Sequence, residues 1–208
     1  VHHQSEEYNF SVALRQSSLQ TFASAWFYLP LALIGFNFKA FVMIAAIQTL
    51  YQFWIHTQII KKMPAWFEFI LNTPSHHRVH HSSDPKYIDK NHGGTFIIWD
   101  RIFGTFIEEA DPINFGVTKP VQSWNTIWVN FEYYQWLWKV FINSKGKDKF
   151  KVLFKKTGWR PDYLGGPLFP QERPVEYQKY DASSDKLTNI YVLILFSVLL
   201  GGVSLVLF

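Results

Sequence analysis

Six of the chain's eight histidines fall into two short clusters, His2-His3 and His76-His77-Arg78-Val79-His80-His81. Imidazole is the commonest side-chain ligand for zinc, copper, nickel and iron. If these rings are to share metal, the fold must bring together segments far apart along the chain. Within the second cluster His77, His80 and His81 are spaced i, i+3 and i+4, which puts them on one face of a helix. The chain has no cysteine, so disulfides, thiolate-bound zinc and iron–sulfur clusters are excluded and metal must be held by nitrogen and oxygen. A structural zinc needs four ligands; six clustered histidines with His56 exceed that, and two metals sharing one site fit better. Zinc also takes imidazole, so ligand type alone assigns no chemistry.

The second constraint is apolar. Charged residues make up 17% of the 208 and aromatic residues 19%, and charge at this level is low for a soluble domain. Residues 19–36 and 38–55 are two mostly apolar runs, each about 27 Å long as helix and close to the roughly 30 Å hydrocarbon thickness. Pro30 should bend the first, and the chain should turn near Gly35-Phe36-Asn37. Such a hairpin returns the chain to the side where it began, so His2, His3 and His56 lie at one membrane face, within reach of the second cluster. A pair of buried helices in a soluble α protein is the competing reading. No basic-then-apolar leader precedes His2, and the chain is expected to be a fragment lacking an N-terminal portion.

Asn72-Thr73-Pro74 predicts a helix start that places the histidine cluster in the opening turns. Residues 82–91 read as turn, and Gly93-Gly94 breaks the chain before an apolar stretch carrying Asp100-Arg101. Trp124, Ile127, Trp128, Phe131 and Trp138 form an aromatic stripe at helical spacing, expected along a membrane interface or packed in a core. From 139 to 160 eight Lys or Arg face one acid, Asp148. That excess of seven is larger than the chain's net +4, so the remainder is net acidic. It suits an anionic cytoplasmic leaflet; no module that reads nucleic acid surrounds it. Residues 161–186 read as linker, and 187–208 as one more span with Gly201-Gly202 as its small residues.

These motifs carry a family resemblance. The chain resembles the fatty acid hydroxylase and sterol desaturase superfamily of integral-membrane di-iron enzymes. The likeness rests on residues 2–9 and 13–17, Tyr51-Gln52-Phe53-Trp54-Ile55-His56-Thr57, residues 71–81, Asp89-Lys90-Asn91 and residues 99–106. It covers roughly residues 1–120 well and the remainder weakly. Carried over by position, His2, His3, His56, His77, His80 and His81 are expected metal ligands. His76 is expected behind the ligands, and His92 as polar packing near the site. Glu6 and Asp100 are candidate partners that orient ligand rings, with an ordinary helix acid and a pairing with Arg101 as the plainer readings. The superfamily's H-x(3-4)-H and the first histidine of its next motif are absent. Gln52 stands where some fatty acid hydroxylases have a ligand histidine, which favours an ether-lipid-cleaving type.

The resemblance implies an all-α integral-membrane bundle with a histidine-rich helical cap on the cytosolic face. Its parts are a catalytic core over 1–120 containing the 19–55 hairpin, an interfacial and basic segment over 121–160, a linker over 161–186, and a terminal span. It implies a di-iron monooxygenase acting on a lipid C–H bond, most closely ether-lipid cleavage, with sterol or carotenoid oxidation as the alternative. Electrons would come from tetrahydrobiopterin, or from NAD(P)H through a b-type cytochrome acting as electron-donor protein. The expected partners are a lipid and a membrane, endoplasmic reticulum or bacterial cytoplasmic membrane, and no nucleic acid. A histidine-rich metal-binding or transport protein is the non-enzyme alternative, disfavoured because transporters place ionisable groups within their spans.

Overall fold

Gly35 is the point on which the helical hairpin turns. Helix α1 (Phe10–Ala13) precedes two longer helices, α2 (Gln20–Leu33) and α3 (Phe38–Trp54). Gly35 has a φ of 77°, a conformation glycine adopts at low cost. It lets Phe36 N–H reach back to Leu31 O (2.9 Å) and Gly35 N–H to Ala32 O (3.1 Å), which closes the end of α2. Asn37 then caps α3, its Oδ1 accepting from the N–H groups of Lys39 (2.9 Å) and Ala40 (3.2 Å). The computed structural model describes residues 1–174, 176–181 and 183–207, with the side chains of Thr21, Val203, Val206 and Leu207 left aside. Phe208, the last residue of the expected terminal span, lies outside the described residues.

The N-terminal segment folds onto the end of the hairpin. Asn9 caps α1 by accepting from Ser11 N–H, α1 packs on α3, and Phe10 stacks on Phe53 at 5.2 Å between centroids. A 3-10 turn at His2–Gln4 contacts α1, so His2 and His3 arrive beside the end of α3.

Helices α4 (Ala65–Ile70) and α5 (Pro74–His80) follow. Pro74 takes the first position of α5 as expected. Thr73 is at the cap but turns its hydroxyl to Glu68 instead (3.2 Å). That buried carboxylate also accepts from Ser75 Oγ and Met63 N–H, joining α4 to α5. The next segment, leading into α6 (Ile98–Phe103), is held by an isolated Leu71–Phe96 bridge and by Asn72 N–H to Thr95 O (2.7 Å). Gly93-Gly94 is more than a break: a Cβ on Gly94 would overlap the Gln48 and Gln52 amides of α3. The segment lies close against α3 there, and a side chain would have to push those two flexible amides aside.

Helix α7 (Thr126–Asn143) carries the aromatic stripe from Ile127 onward, with Trp124 just ahead of it; these side chains stay exposed, and α7 packs on α8 (Asp148–Phe154). The expected linker divides. Residues 161–178 belong with the first compact unit, Val1–Gln178, where Arg160 Nε donates to Gly166 O (2.7 Å) and Arg173 pairs with Glu6. The second unit, Lys179–Phe208, holds α9 (Lys186–Leu207), started by Asp185 accepting from Thr188 N–H (2.7 Å).

Among the described residues the secondary structure is helical apart from two isolated bridges. Helix α2, at 14 residues, is shorter than the apolar run that suggested it because the turn at Gly35 takes its end, and α3, at 17 residues, stops at Trp54 with Ile55 as its C-cap. No helix of the described residues is long and apolar enough to cross a membrane.

Candidate metal centre

Three separate segments deliver the rings. His2 comes from the N-terminal turn, His56 from just past α3, and His77 and His81 from α5 and its C-cap. One ring nitrogen from each lies within 4.8 Å of all the others. His56 Nε2 is 3.2 Å from His2 Nε2 and 3.1 Å from His77 Nε2, and His77 Nε2 is 3.2 Å from His81 Nε2.

Backbone carbonyls fix the tautomers. His56 Nδ1 lies 2.6 Å from Gln52 O and His2 Nδ1 3.1 Å from Arg15 O. A carbonyl can only accept, so each Nδ1 keeps the proton and each Nε2 points a lone pair at the centre. Lone pairs on His2 and His56 then face each other across the short gap between their Nε2 atoms. His77 Nδ1 is buried with no partner among the described residues, and one proton on its Nε2 could satisfy only one of two neighbours. A cation would turn all of these contacts attractive. Four imidazole nitrogens within 4.8 Å of one another, all neutral rings, are a donor set that a metal ion can take. The residues fit a bound metal.

The charge state agrees. Burial first, and neighbouring imidazoles after it, hold His77 and His81 well below the usual imidazole range. His56 and His80 are pushed down to about 4 by burial, with the Gln52 and Lys90 carbonyls pulling partly upward. His3 is pushed down to about 2, again by burial ahead of His80 and His2. Neutral rings with free nitrogens are what a metal requires.

The remaining candidates fall around this group. His3 stacks on His81 at 4.2 Å and sits edge-on to His80 at 4.7 Å; His80 gives Nδ1–H to Lys90 O (3.3 Å). His92 lies edge-on to His80 at 5.8 Å. His76 turns away, its ring against Phe106 and its Nδ1 without a partner among the described residues. The buried Asp100 carboxylate accepts from the N–H groups of His92 (2.8 Å) and Gly93 (2.7 Å) and from Thr105 Oγ1, which clamps the loop bearing His92; Arg101 instead donates to the carbonyls of Phe69 and Glu68. Glu6 is engaged by Arg173 (3.2 Å) and Tyr177.

Two residues that sequence patterns do not single out shape the site. Tyr8 is buried, stacks on Phe115 at 4.7 Å and on His56 at 5.6 Å, and donates to Ile55 O (3.0 Å). It walls one side of the centre. Arg78, between the histidines, is buried and spends all five donors: two on Glu109 and three on the carbonyls of Thr57, Ile60 and Lys61. It locks α5 to the chain that follows His56. Tyr8→Phe leaves the Ile55 carbonyl buried without its donor and should cost about 1–3 kcal/mol. Thermal unfolding checks this, and an unchanged midpoint would show the bond to be idle.

Residues 1–105 match the fatty acid hydroxylase family. The chain is similar to an alkylglycerol monooxygenase of Danio rerio, 43% identical over 203 residues that cover 96% of this chain and 45% of that protein. It is similar to one of Homo sapiens at 42% over 207 residues, 97% and 45% of the respective chains. A shorter match, 30% identical over 95 residues, is to an ornithine lipid hydroxylase of Rhizobium tropici, covering 45% of this chain and 28% of that one. The chain thus spans just under half the length of the alkylglycerol monooxygenases it matches. No solved structure gives a significant match.

Proposed function

The chain belongs to the fatty acid hydroxylase family, and from that premise we propose that it carries the metal centre of a membrane-bound, oxygen-dependent di-iron monooxygenase that oxidises a lipid C–H bond. The observation that supports this most is the meeting of nitrogens from His2, His56, His77 and His81, delivered by three separate segments. We assign these four to iron, with His3 and His80, packed alongside, serving a second iron. Iron, when bound, supplies activation of oxygen and oxidation of the C–H bond.

The chain's own residues do the rest. The carbonyls of Arg15 and Gln52 hold the His2 and His56 rings in the ligating tautomer. Tyr8 and Phe115 cover the rings with apolar surface and so limit water, while Arg78 with Glu109 fixes the register of α5. The outward faces of α2 and α3 expose Phe22, Trp26, Phe27, Leu33, Ile47 and Leu50, and we place the hairpin in the bilayer. The histidine centre then sits at the aqueous, cytosolic face. A lipid tail reaches it from the membrane and a reductant from water.

Similarity along nearly the whole chain to alkylglycerol monooxygenases supports an alkylglycerol substrate, and we propose tetrahydrobiopterin as the electron source. The test supplies the protein at its full natural length with iron, oxygen, reduced pterin and alkylglycerol, fatty acyl or sterol lipids, and identifies products by mass spectrometry. Pterin-supported oxidation of the alkylglycerol is the expected result. Oxidation of sterols alone, driven by NADH and a cytochrome, would sink the substrate and donor assignments, and retention of exchangeable divalent ions without turnover would sink the enzyme reading.

A further inference from the structure

The basic stretch plays no part in the metal centre, and its geometry points to a partner of its own. On α8 the side chains Phe150, Leu153 and Phe154 are 69%, 51% and 85% exposed. Their i, i+3, i+4 spacing makes one apolar face. Val152, on the opposite side, is buried where α8 packs on α7. Lys149 and Lys151 flank the apolar face, and Lys145, Lys147 and Lys155 lie just beyond the helix ends. Lys151 pairs with Asp148 (2.8 Å) and Lys156 with Asp89 (3.2 Å). Among the described residues no carboxylate pairs with Lys145, Lys147, Lys149 or Lys155.

We propose that α8 and its lysines form a docking element for an anionic phospholipid bilayer, with Phe150, Leu153 and Phe154 entering the surface and the four lysines facing lipid phosphate and carboxylate groups. Both halves of the element are needed to choose this occupant. Lysines without a carboxylate partner would alone suit any polyanion, and exposed apolar side chains alone any apolar surface. A helix with an apolar face bordered by lysine is the pattern that lies in a charged membrane interface. A nucleic acid would use the lysines but leave Phe154 in water. This assignment does not depend on the reaction or the metal, and it stands or falls separately from them.

These 208 residues hold no cysteine, and any cysteine elsewhere in the full-length protein is changed to serine for the test. The full chain carrying Phe154→Cys is labelled with an environment-sensitive fluorophore and reconstituted with phosphatidylcholine vesicles, with and without about one third phosphatidylserine. Other apolar segments can hold the chain on either vesicle, so quenching of the label by spin-labelled lipid is the readout. Quenching should be strong with phosphatidylserine, weak without it, and suppressed by high salt. Each lysine changed to glutamine among Lys145, Lys147, Lys149 and Lys155 should reduce the preference about fivefold, with helicity unchanged by circular dichroism. Phe150→Ser should weaken quenching in the same anionic vesicles while leaving the salt response intact. Equal quenching in both vesicles, no quenching in either, a matching response to RNA without lipid, or a shift set by protein concentration alone would each overturn the proposal.

Discussion

His77→Ala should abolish iron retention while leaving the metal-free fold nearly as stable as before. Its Nε2 sits between those of His56 and His81, at 3.1 and 3.2 Å, so its loss removes the central member of the group. Losing a partner that merely orients a ligand costs about 10–100-fold in affinity or activity, and losing the ligand should cost more than about a hundredfold. The expected stability effect is small for an electrostatic reason. In the metal-free chain these nitrogens are buried against one another without enough protons to share, so removing one ring relieves repulsion that offsets the cavity it leaves. Iron content by elemental analysis and turnover of the same preparation test the first half, and thermal unfolding the second. His92→Phe is the control: its ring lies only edge-on to His80, and it should retain most iron and activity. Full iron content in His77→Ala would remove this residue from the centre.

Arg78→Ala should show the opposite profile, with stability failing first. The guanidinium is buried and saturated by Glu109 and three carbonyls. Truncation leaves the carboxylate and three carbonyls without their shared donor, and breaking a buried ion pair from one side costs about 3–5 kcal/mol. At about 2–4 °C per kcal/mol for a chain of this size, the midpoint should fall by about 10 °C. Arg78→Lys should recover little of it, since a point charge cannot reach four partners from one position. Thermal unfolding of all three proteins decides the matter; a midpoint within about 2 °C of the parent in Arg78→Ala would show that the network is dispensable.

The two variants also mark what a sequence discloses. The His77-x-x-His80-His81 spacing, the turn at Gly35-Phe36-Asn37 and the helix start at Pro74 are local patterns, and each is legible because local sterics and capping enforce it. The ring-orienting groups are not. Glu6 and Asp100 stand out as acids near histidines, but Glu6 is held by Arg173 and Tyr177, from the far end of the same compact unit, and Asp100 clamps a loop. Ring orientation falls to the carbonyls of Arg15, Gln52 and Lys90, atoms every residue possesses and no side-chain pattern can advertise. Arg78 reads as a spacer between ligands for a related reason: its partners are mostly backbone. Residues 161–178 look like linker because proline and glycine dominate there, while their attachment through Arg173 is a long-range pairing.

The proposed centre stands on imidazoles from three distant segments sharing iron. X-ray diffraction at the iron edge on iron-loaded crystals tests it most directly. An anomalous peak within bonding distance of the Nε2 atoms of His2, His56, His77 and His81 is the predicted result. Iron bound elsewhere, or these rings turned apart with no peak between them, would contradict it.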